Sequence, residues 1–128
     1  EEYKNVIRIN PEYSWAYFNL ACIYYQNGKI EEALNHLRKT IEINPKDIEA
    51  YRTLAAILIE KKEYEKALNE LELAAIENPN NGDIHYSLAQ VYKKLNETED
   101  YIFHLKKALE HKSSLSIPEA IVQAELEN

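Results

Sequence analysis

The 128-residue sequence contains no methionine, only one cysteine and only two glycines. The lone cysteine, Cys22, cannot form a disulfide within the chain, which is compatible with a reducing compartment. Two glycines are too few for a glycine-rich loop that cradles phosphate groups. No apolar run reaches the roughly 18–20 residues that a membrane-spanning helix needs, and no signal-peptide pattern opens the chain. These absences predict a cytoplasmic protein without a membrane segment.

Positive charge is also scarce, since 15 lysines and arginines face 22 aspartates and glutamates, for a net charge of −7. A surface with this excess of negative charge repels phosphate backbones and anionic lipids, so we expect no nucleic-acid partner and no membrane partner. The hydrophobic fraction of 45% is typical of a folded protein. The low glycine content, together with 29% charged residues, favours an almost entirely helical one.

An Asn-Pro step recurs along the chain at equal intervals, with its prolines at Pro11, Pro45 and Pro79. We call the interval from Pro11 to Pro45 the repeat period, and self-similarity at a period of this length indicates a repeat array. Within each copy the apolar positions are spaced by three and four residues, as on a helical face. A turn site divides each copy into two helices of about a dozen residues. The three turn sites are Gly28, Lys62 and Asn96.

The order of residues within the copies resembles the tetratricopeptide repeat family. The first copy carries Tyr17, Leu20-Ala21, Tyr24, Ala33 and Leu37 before Pro45, in the family's sequence of aromatic, leucine, small and proline positions. The resemblance implies an all-α fold, a right-handed α-solenoid of helix-turn-helix repeats. We predict a tail of a truncated preceding repeat at 1–13, with a short helix at 1–9, then repeats at 14–47, 48–81 and 82–114, the third atypical, and a C-terminal capping helix at 115–128.

The C-terminal helix is predicted from local signals, because the repeat pattern stops after Ser113. Ser116 and Glu119 have the spacing of a capping box, with Pro118 in the first turn. The apolar residues Ile117, Ala120, Ile121 and Ala124 form one stripe, which we expect to pack on the last repeat and shield it from water. The alternative is that this segment is the first helix of a truncated fourth repeat, although the tyrosine and Leu-Ala pattern does not recur.

Residues with catalytic or metal-binding chemistry are few and scattered. No cysteine or clustered carboxylate completes a ligand set with the four histidines at helical spacing. His85, which replaces the aromatic of its repeat, is expected to be a core residue. Cys22 has no histidine nearby in the sequence to activate it. We therefore predict a protein that is not an enzyme and that binds neither a metal nor a cofactor.

The resemblance implies that the first helix of each repeat lines a concave groove and that the second helices form its convex back. The predicted lining is Trp15, Phe18, Asn19, Cys22 and Tyr25 in repeat 1, Glu49, Arg52, Thr53 and Ala56 in repeat 2, and Asp83, Tyr86, Ser87 and Gln90 in repeat 3.

Two features of this lining suggest how a ligand would be held. Asn19, Thr53 and Ser87 occupy equivalent positions, and we expect them to hydrogen-bond a bound backbone; alternatively, small polar residues merely suit a wet concave surface. Trp15, Phe18 and Tyr25 are predicted to form an aromatic anchor pocket outside the core, because large apolar groups rarely collect on a surface without a partner. The alternative is that Trp15 docks against an upstream repeat.

The sequence thus predicts a protein–protein interaction scaffold that binds a peptide segment of a partner in its groove. One alternative is a structural or self-association segment, which would form a homodimer through exposed terminal repeat faces. Another is a substrate-positioning regulatory arm of a larger protein.

Overall fold

A computed structural model describes residues 13–128 of the chain, and the predicted short helix at 1–9 lies outside these residues. Within them the secondary structure is helical throughout. Three helical hairpins follow one another, and a short 3₁₀ turn at Lys112–Ser114 precedes the last helix. The helices are α1 (Ser14–Gln26), α2 (Ile30–Ile43), α3 (Ile48–Glu60), α4 (Tyr64–Glu77), α5 (Gly82–Lys94), α6 (Thr98–Glu110) and α7 (Glu119–Glu127).

Local capping fixes where the first helices of repeats 2 and 3 begin. The Asp47 carboxylate accepts a hydrogen bond from the Ala50 N–H at 3.1 Å and so caps the start of α3. The Asn81 side chain does the same for the Ile84 N–H at 3.0 Å. The turns between paired helices use a left-handed residue, with φ of 78° at Gly28, 64° at Lys62 and 61° at Asn96. The turn position that glycine fills in repeat 1 therefore keeps its conformation without glycine.

The repeat period places equivalent residues at equivalent depths. Leu20, Leu54 and Leu88 are all at most 2% exposed, and Ala33 and Ala67 are completely buried. One continuous apolar cluster runs from Ala21 in α1 to Val91 in α5, so each repeat shields the next from water. This stack of helical hairpins confirms the predicted helical repeat solenoid. No helix of residues 13–128 combines the length and the apolar character needed to cross a membrane.

The predicted start of the C-terminal helix is wrong in its details. Helix α7 begins at Glu119 with Pro118 at its N-cap, and no side chain caps it. Ser116 does not cap the helix because its hydroxyl donates to Asp83 at 2.6 Å and its N–H donates to the same carboxylate at 2.7 Å. Ser116 thus connects the segment before α7 to α5 through hydrogen bonds.

Of the predicted packing face, Ile117 does pack against the last repeat, but the prediction is wrong for the other three residues of the stripe. Val122 is completely buried, and Leu126 packs beside it against Ala89 and Leu105. Ile121 is 49% exposed, and Ala120 and Ala124 are exposed as well. The stripe that was expected to pack on the last repeat therefore lies largely on the surface.

Candidate functional site

The three first helices α1, α3 and α5 line an open cavity of about 730 Å³. Its walls are largely apolar, and Ile117 joins them from the segment before α7. The lining residues are Cys22, Tyr25, Gln26, Glu49, Arg52, Thr53, Ala55, Ala56, Ile57, Ile59, Glu60, Tyr86, Ser87, Gln90 and Ile117. A concave, mostly apolar cavity with a few polar groups is the usual form of a ligand-binding surface.

Most of the residues predicted to line the groove lie together in this cavity. Nine of the thirteen do so: Cys22, Tyr25, Glu49, Arg52, Thr53, Ala56, Tyr86, Ser87 and Gln90. The other four, Trp15, Phe18, Asn19 and Asp83, are not among its lining residues. Of the polar row predicted along the groove, Thr53 and Ser87 thus reach the cavity and Asn19 does not.

The three aromatic residues predicted to form one anchor pocket have different environments. Phe18 packs against the apolar core cluster, so the expectation that it lies outside the core is wrong. The ring of Trp15 lies 6.0 Å from that of Tyr13. Only Tyr25 of the three lines the cavity, where its hydroxyl donates to the Glu60 carboxylate of the next repeat. That hydrogen bond raises the pKa of Tyr25 and keeps its hydroxyl protonated.

Glu49 and Arg52 of the cavity wall belong to an ion group that also includes Asp83. The Arg52 guanidinium lies 2.7 Å from the Glu49 carboxylate and 3.6 Å from that of Asp83. Asp83 is 6% exposed, and both of its oxygens accept hydrogen bonds from Ser116. The single positive charge of Arg52 is therefore paired with the carboxylates of Glu49 and Asp83. With the carboxylate of Glu60 added, this part of the groove carries a net negative charge.

The thiol of Cys22 lies in the cavity wall and is partly buried. This burial raises the pKa of Cys22, because the thiolate loses hydration that the neutral thiol does not need. A raised thiol pKa is opposite to what a catalytic nucleophile requires. Cys22 therefore contributes to the wall as a small, neutral side chain.

Sequence reasoning missed Glu125, which connects α7 to the groove. Its carboxylate accepts hydrogen bonds from the Tyr86 hydroxyl at 2.6 Å, the Tyr101 hydroxyl at 2.7 Å and the Gln90 amide at 3.0 Å. Burial tends to raise the pKa of Glu125, but the three hydrogen bonds outweigh burial, so the pKa of this carboxyl is lowered. The large side chain of Tyr101 thus has a specific use, since it reaches from α6 to this carboxylate.

Sequence reasoning also treated the histidines of repeat 3 as separate. In the structure the ring of His85 stacks against the rings of both His104 and His111. His85 donates from Nε2 to the Pro79 carbonyl at 2.9 Å, so its Nδ1 must accept the proton of His104 Nδ1 at 3.0 Å. Burial lowers the pKa of both rings, that of His104 to about 4. His85 is 7% exposed and is a core residue, as the sequence predicts.

A metal-binding geometry is not found in the part of the chain that the structure describes. No cluster of three or more histidine, cysteine or carboxylate side chains there is arranged to hold an ion. The histidine rings of repeat 3 are instead joined to one another and to a backbone carbonyl. Their role is therefore packing and hydrogen bonding between α5 and α6.

Comparison with protein families identifies helical repeats of one family along most of the chain. Three models, each described as tetratricopeptide repeat, match residues 14–47, 36–69 and 82–113. Together they cover 14–69 and 82–113, which includes α1 to α3, the first part of α4, and both α5 and α6. A search of curated proteins found no significant match.

Solved structures of repeat proteins are similar over nearly the whole chain. The crystal structure of YrrB, a TPR protein with an unusual peptide-binding site, matches 98% of this chain and 63% of its own, with a TM-score of 0.76 and 25% identity. The crystal structure of MamA matches 87% of this chain and 65% of its own, with a TM-score of 0.70 and 25% identity. This chain thus spans less than two thirds of the length of either protein.

Proposed function

The chain belongs to the tetratricopeptide repeat family, a family of protein-interaction scaffolds, and from this premise we propose that its cavity binds a peptide segment of a partner protein. The observation that carries the proposal is the cavity of about 730 Å³ on the concave side of α1, α3 and α5. A volume of this size accommodates a few amino-acid side chains.

The chemistry of the cavity wall supports an apolar anchor on the ligand. Ala56, Ile59 and Ile117 supply apolar surface, and burying such surface against a ligand contributes about 25 cal/mol per Å² before the costs of association. Thr53 and Ser87 lie on neighbouring first helices and offer hydroxyl groups to a ligand backbone. The wall thus combines a site for an apolar side chain with polar groups that would orient the main chain.

The function proposed is binding and not catalysis. Proteins of this repeat family are typically interaction modules, and the one thiol in the cavity is kept neutral by its raised pKa. MamA and YrrB share the fold, and YrrB is a peptide-binding example of it. The likeness to YrrB supports a peptide as the class of ligand.

Binding in the cavity is tested by filling it. Linear twelve-residue peptides are selected from a random phage-displayed library on the full chain, and their affinity is measured by fluorescence anisotropy. Ala56 is an exposed residue of the cavity wall, so Ala56→Trp obstructs the cavity without crowding the core. We expect Ala56→Trp to weaken binding of the selected peptides at least tenfold, about 1.4 kcal/mol.

The control for bulk and helix propensity is Glu65→Trp, an exposed site on the second helix of the same repeat. It should bind the peptides as the wild type does. Failure to select any peptide, or equal binding by both tryptophan variants, would overturn the proposal. Contacts through the terminal faces of the array, as in the self-association alternative, would then be the better explanation of an interaction function.

A further inference from the structure

Helix α7 follows the register of a fourth first helix on its buried side. Val122 lies one repeat period after Leu88, and Leu126 lies one repeat period after Tyr92. Val122 is completely buried, and Leu88 is almost completely buried. Leu126 packs against the cluster that Val122 forms with Ala89 and Leu105. Two core-facing residues of α7, Val122 and Leu126, therefore occupy the repeat positions of Leu88 and Tyr92, whereas Gln123, at the position of the buried Ala89, is exposed.

The same alignment with α5 places the apolar stripe of the C-terminal segment at groove positions. Ile117, Ala120, Ile121 and Ala124 lie one repeat period after Asp83, Tyr86, Ser87 and Gln90. Those four α5 residues were predicted as groove lining, and three of them line the cavity. We infer that the binding groove continues onto α7, whose exposed apolar stripe receives an apolar side chain of the same bound peptide.

Continuity with the cavity supports this assignment. Ile117 is the first residue of the stripe, and it already forms part of the cavity wall together with Tyr86, Ser87 and Gln90. The stripe then runs along α7 through Ala120 and Ile121, both of which are exposed. A ligand that leaves the cavity past Ile117 therefore meets this stripe next.

Hydrogen bonds hold the segment in place while leaving the stripe open. Ser116 is bound to Asp83, and Glu125 is bound to Tyr86, Gln90 and Tyr101. These contacts lie at the junction of α5 and α7 and leave Ala120, Ile121 and Ala124 exposed, beside the polar side chains of Glu119 and Gln123. Exposed apolar surface of this kind beside a cavity is typical of a binding site.

The charge of the cavity wall indicates which charged residue the ligand carries beside its apolar residue. Of the charged side chains that line the cavity, Glu49 and Glu60 are carboxylates and only Arg52 is a cation, which Glu49 and Asp83 already hold. A lysine or arginine on the ligand would offset this excess, whereas an acidic residue would be repelled. The occupant is thus a segment that places a basic residue beside its apolar anchor in the cavity and a second apolar residue on α7.

This inference rests on the proposed function and is tested with the same library-selected peptides. Ile121→Asn makes the stripe polar without adding charge, and we expect it to weaken peptide binding about tenfold. The matched control is Ile76→Asn, because Ile76 is 76% exposed on α4 and does not line the cavity. The control should bind as the wild type does, and circular dichroism should show unchanged helicity in both variants.

The outcomes separate this inference from the function on which it rests. If Ala56→Trp weakens binding but Ile121→Asn does not, the groove binds peptide and the α7 subsite is wrong. If no peptide is selected, both proposals fall. Sedimentation decides about a second copy as occupant: a concentration-dependent dimer that Ile121→Asn abolishes would overturn the peptide subsite. Selected peptides without an enriched basic residue would contradict the charge argument.

Discussion

Replacing Gly82 by alanine is expected to lower the free energy of unfolding by about 2–3 kcal/mol. A Cβ atom at this position would lie 2.5 Å from the His111 carbonyl oxygen and 3.1 Å from the Ala108 carbonyl oxygen. Both are backbone atoms at the end of α6, so the overlap is relieved only if the start of α5 and the end of α6 move apart. Urea unfolding followed by circular dichroism measures the loss.

The chain supplies its own control, because its other glycine is favoured for a different reason. Gly28 has a φ of +78°, and a Cβ atom added there would meet no atom within 4 Å, so Gly28→Ala strains the backbone without a clash. A left-handed residue other than glycine costs about 1 kcal/mol, and Lys62 and Asn96 tolerate this conformation at the equivalent turns. Equal losses in Gly28→Ala and Gly82→Ala would contradict the close approach at Gly82.

The second large effect is expected for Glu125→Ala, which should destabilise the junction of α5, α6 and α7 by about 2 kcal/mol. The substitution removes the acceptor from the hydroxyls of Tyr86 and Tyr101 and from the amide of Gln90, and hydrogen bonds to a charged group contribute about 1.5–3 kcal/mol each when they are fully buried. The site is only partly buried, so the sum is well below the total of three such bonds.

The pH dependence of this loss provides a further check. The pKa of Glu125 is lowered below 4.5 in the folded protein, so its stabilising contribution is present above pH 4.5 and disappears as the pH falls through the folded pKa. The difference in stability between wild type and Glu125→Ala should shrink in that acidic range. Glu127→Ala, an exposed carboxylate of the same helix, is the control and should change stability by less than about 0.5 kcal/mol. A difference that stays constant from pH 7 down to pH 3 would contradict the role of the Glu125 charge.

The helical hairpins were predictable because their signals are local and repeated. Leucine and alanine at fixed places in each copy define a buried face, and this holds in the atypical third repeat as well. Asp47 caps α3 through a hydrogen bond to the Ala50 N–H, which lies three residues away in the sequence. The groove lining was expected from the family resemblance, and Thr53 and Ser87 line the cavity from equivalent positions in their repeats.

The C-terminal helix was less predictable because two of its local signals compete with tertiary contacts. Ser116 fits a capping box, but the buried carboxylate of Asp83 takes both of its donors. The stripe of isoleucine and alanine contains more apolar residues than the face of Val122, yet Val122 is the residue that is buried. The signal that identifies the correct face is the repeat register with Leu88, which weighs more than the count of apolar residues.

The remaining misses are contacts between residues that are far apart in sequence. Glu125 meets Tyr86 across 39 residues, and His85 meets His104 across 19. Side-chain spacing within one helix carries no information about such pairs, because they depend on how neighbouring helices pack. Phe18 is a case of the same kind, since its position in the repeat suggests the groove while its ring packs against the core.

A peptide held in the cavity between the first helices would cover the thiol of Cys22 in the cavity wall, so the reactivity of this thiol tests the claim that the cavity binds peptide. Cys22 is the only cysteine, so alkylation by N-ethylmaleimide is specific to this site. The rate is measured by mass spectrometry at pH 8, without peptide and with a library-selected peptide at a concentration that anisotropy shows to be saturating. We predict that bound peptide slows alkylation of Cys22 at least tenfold. An unchanged rate at full saturation would place the peptide outside the cavity and contradict the claim.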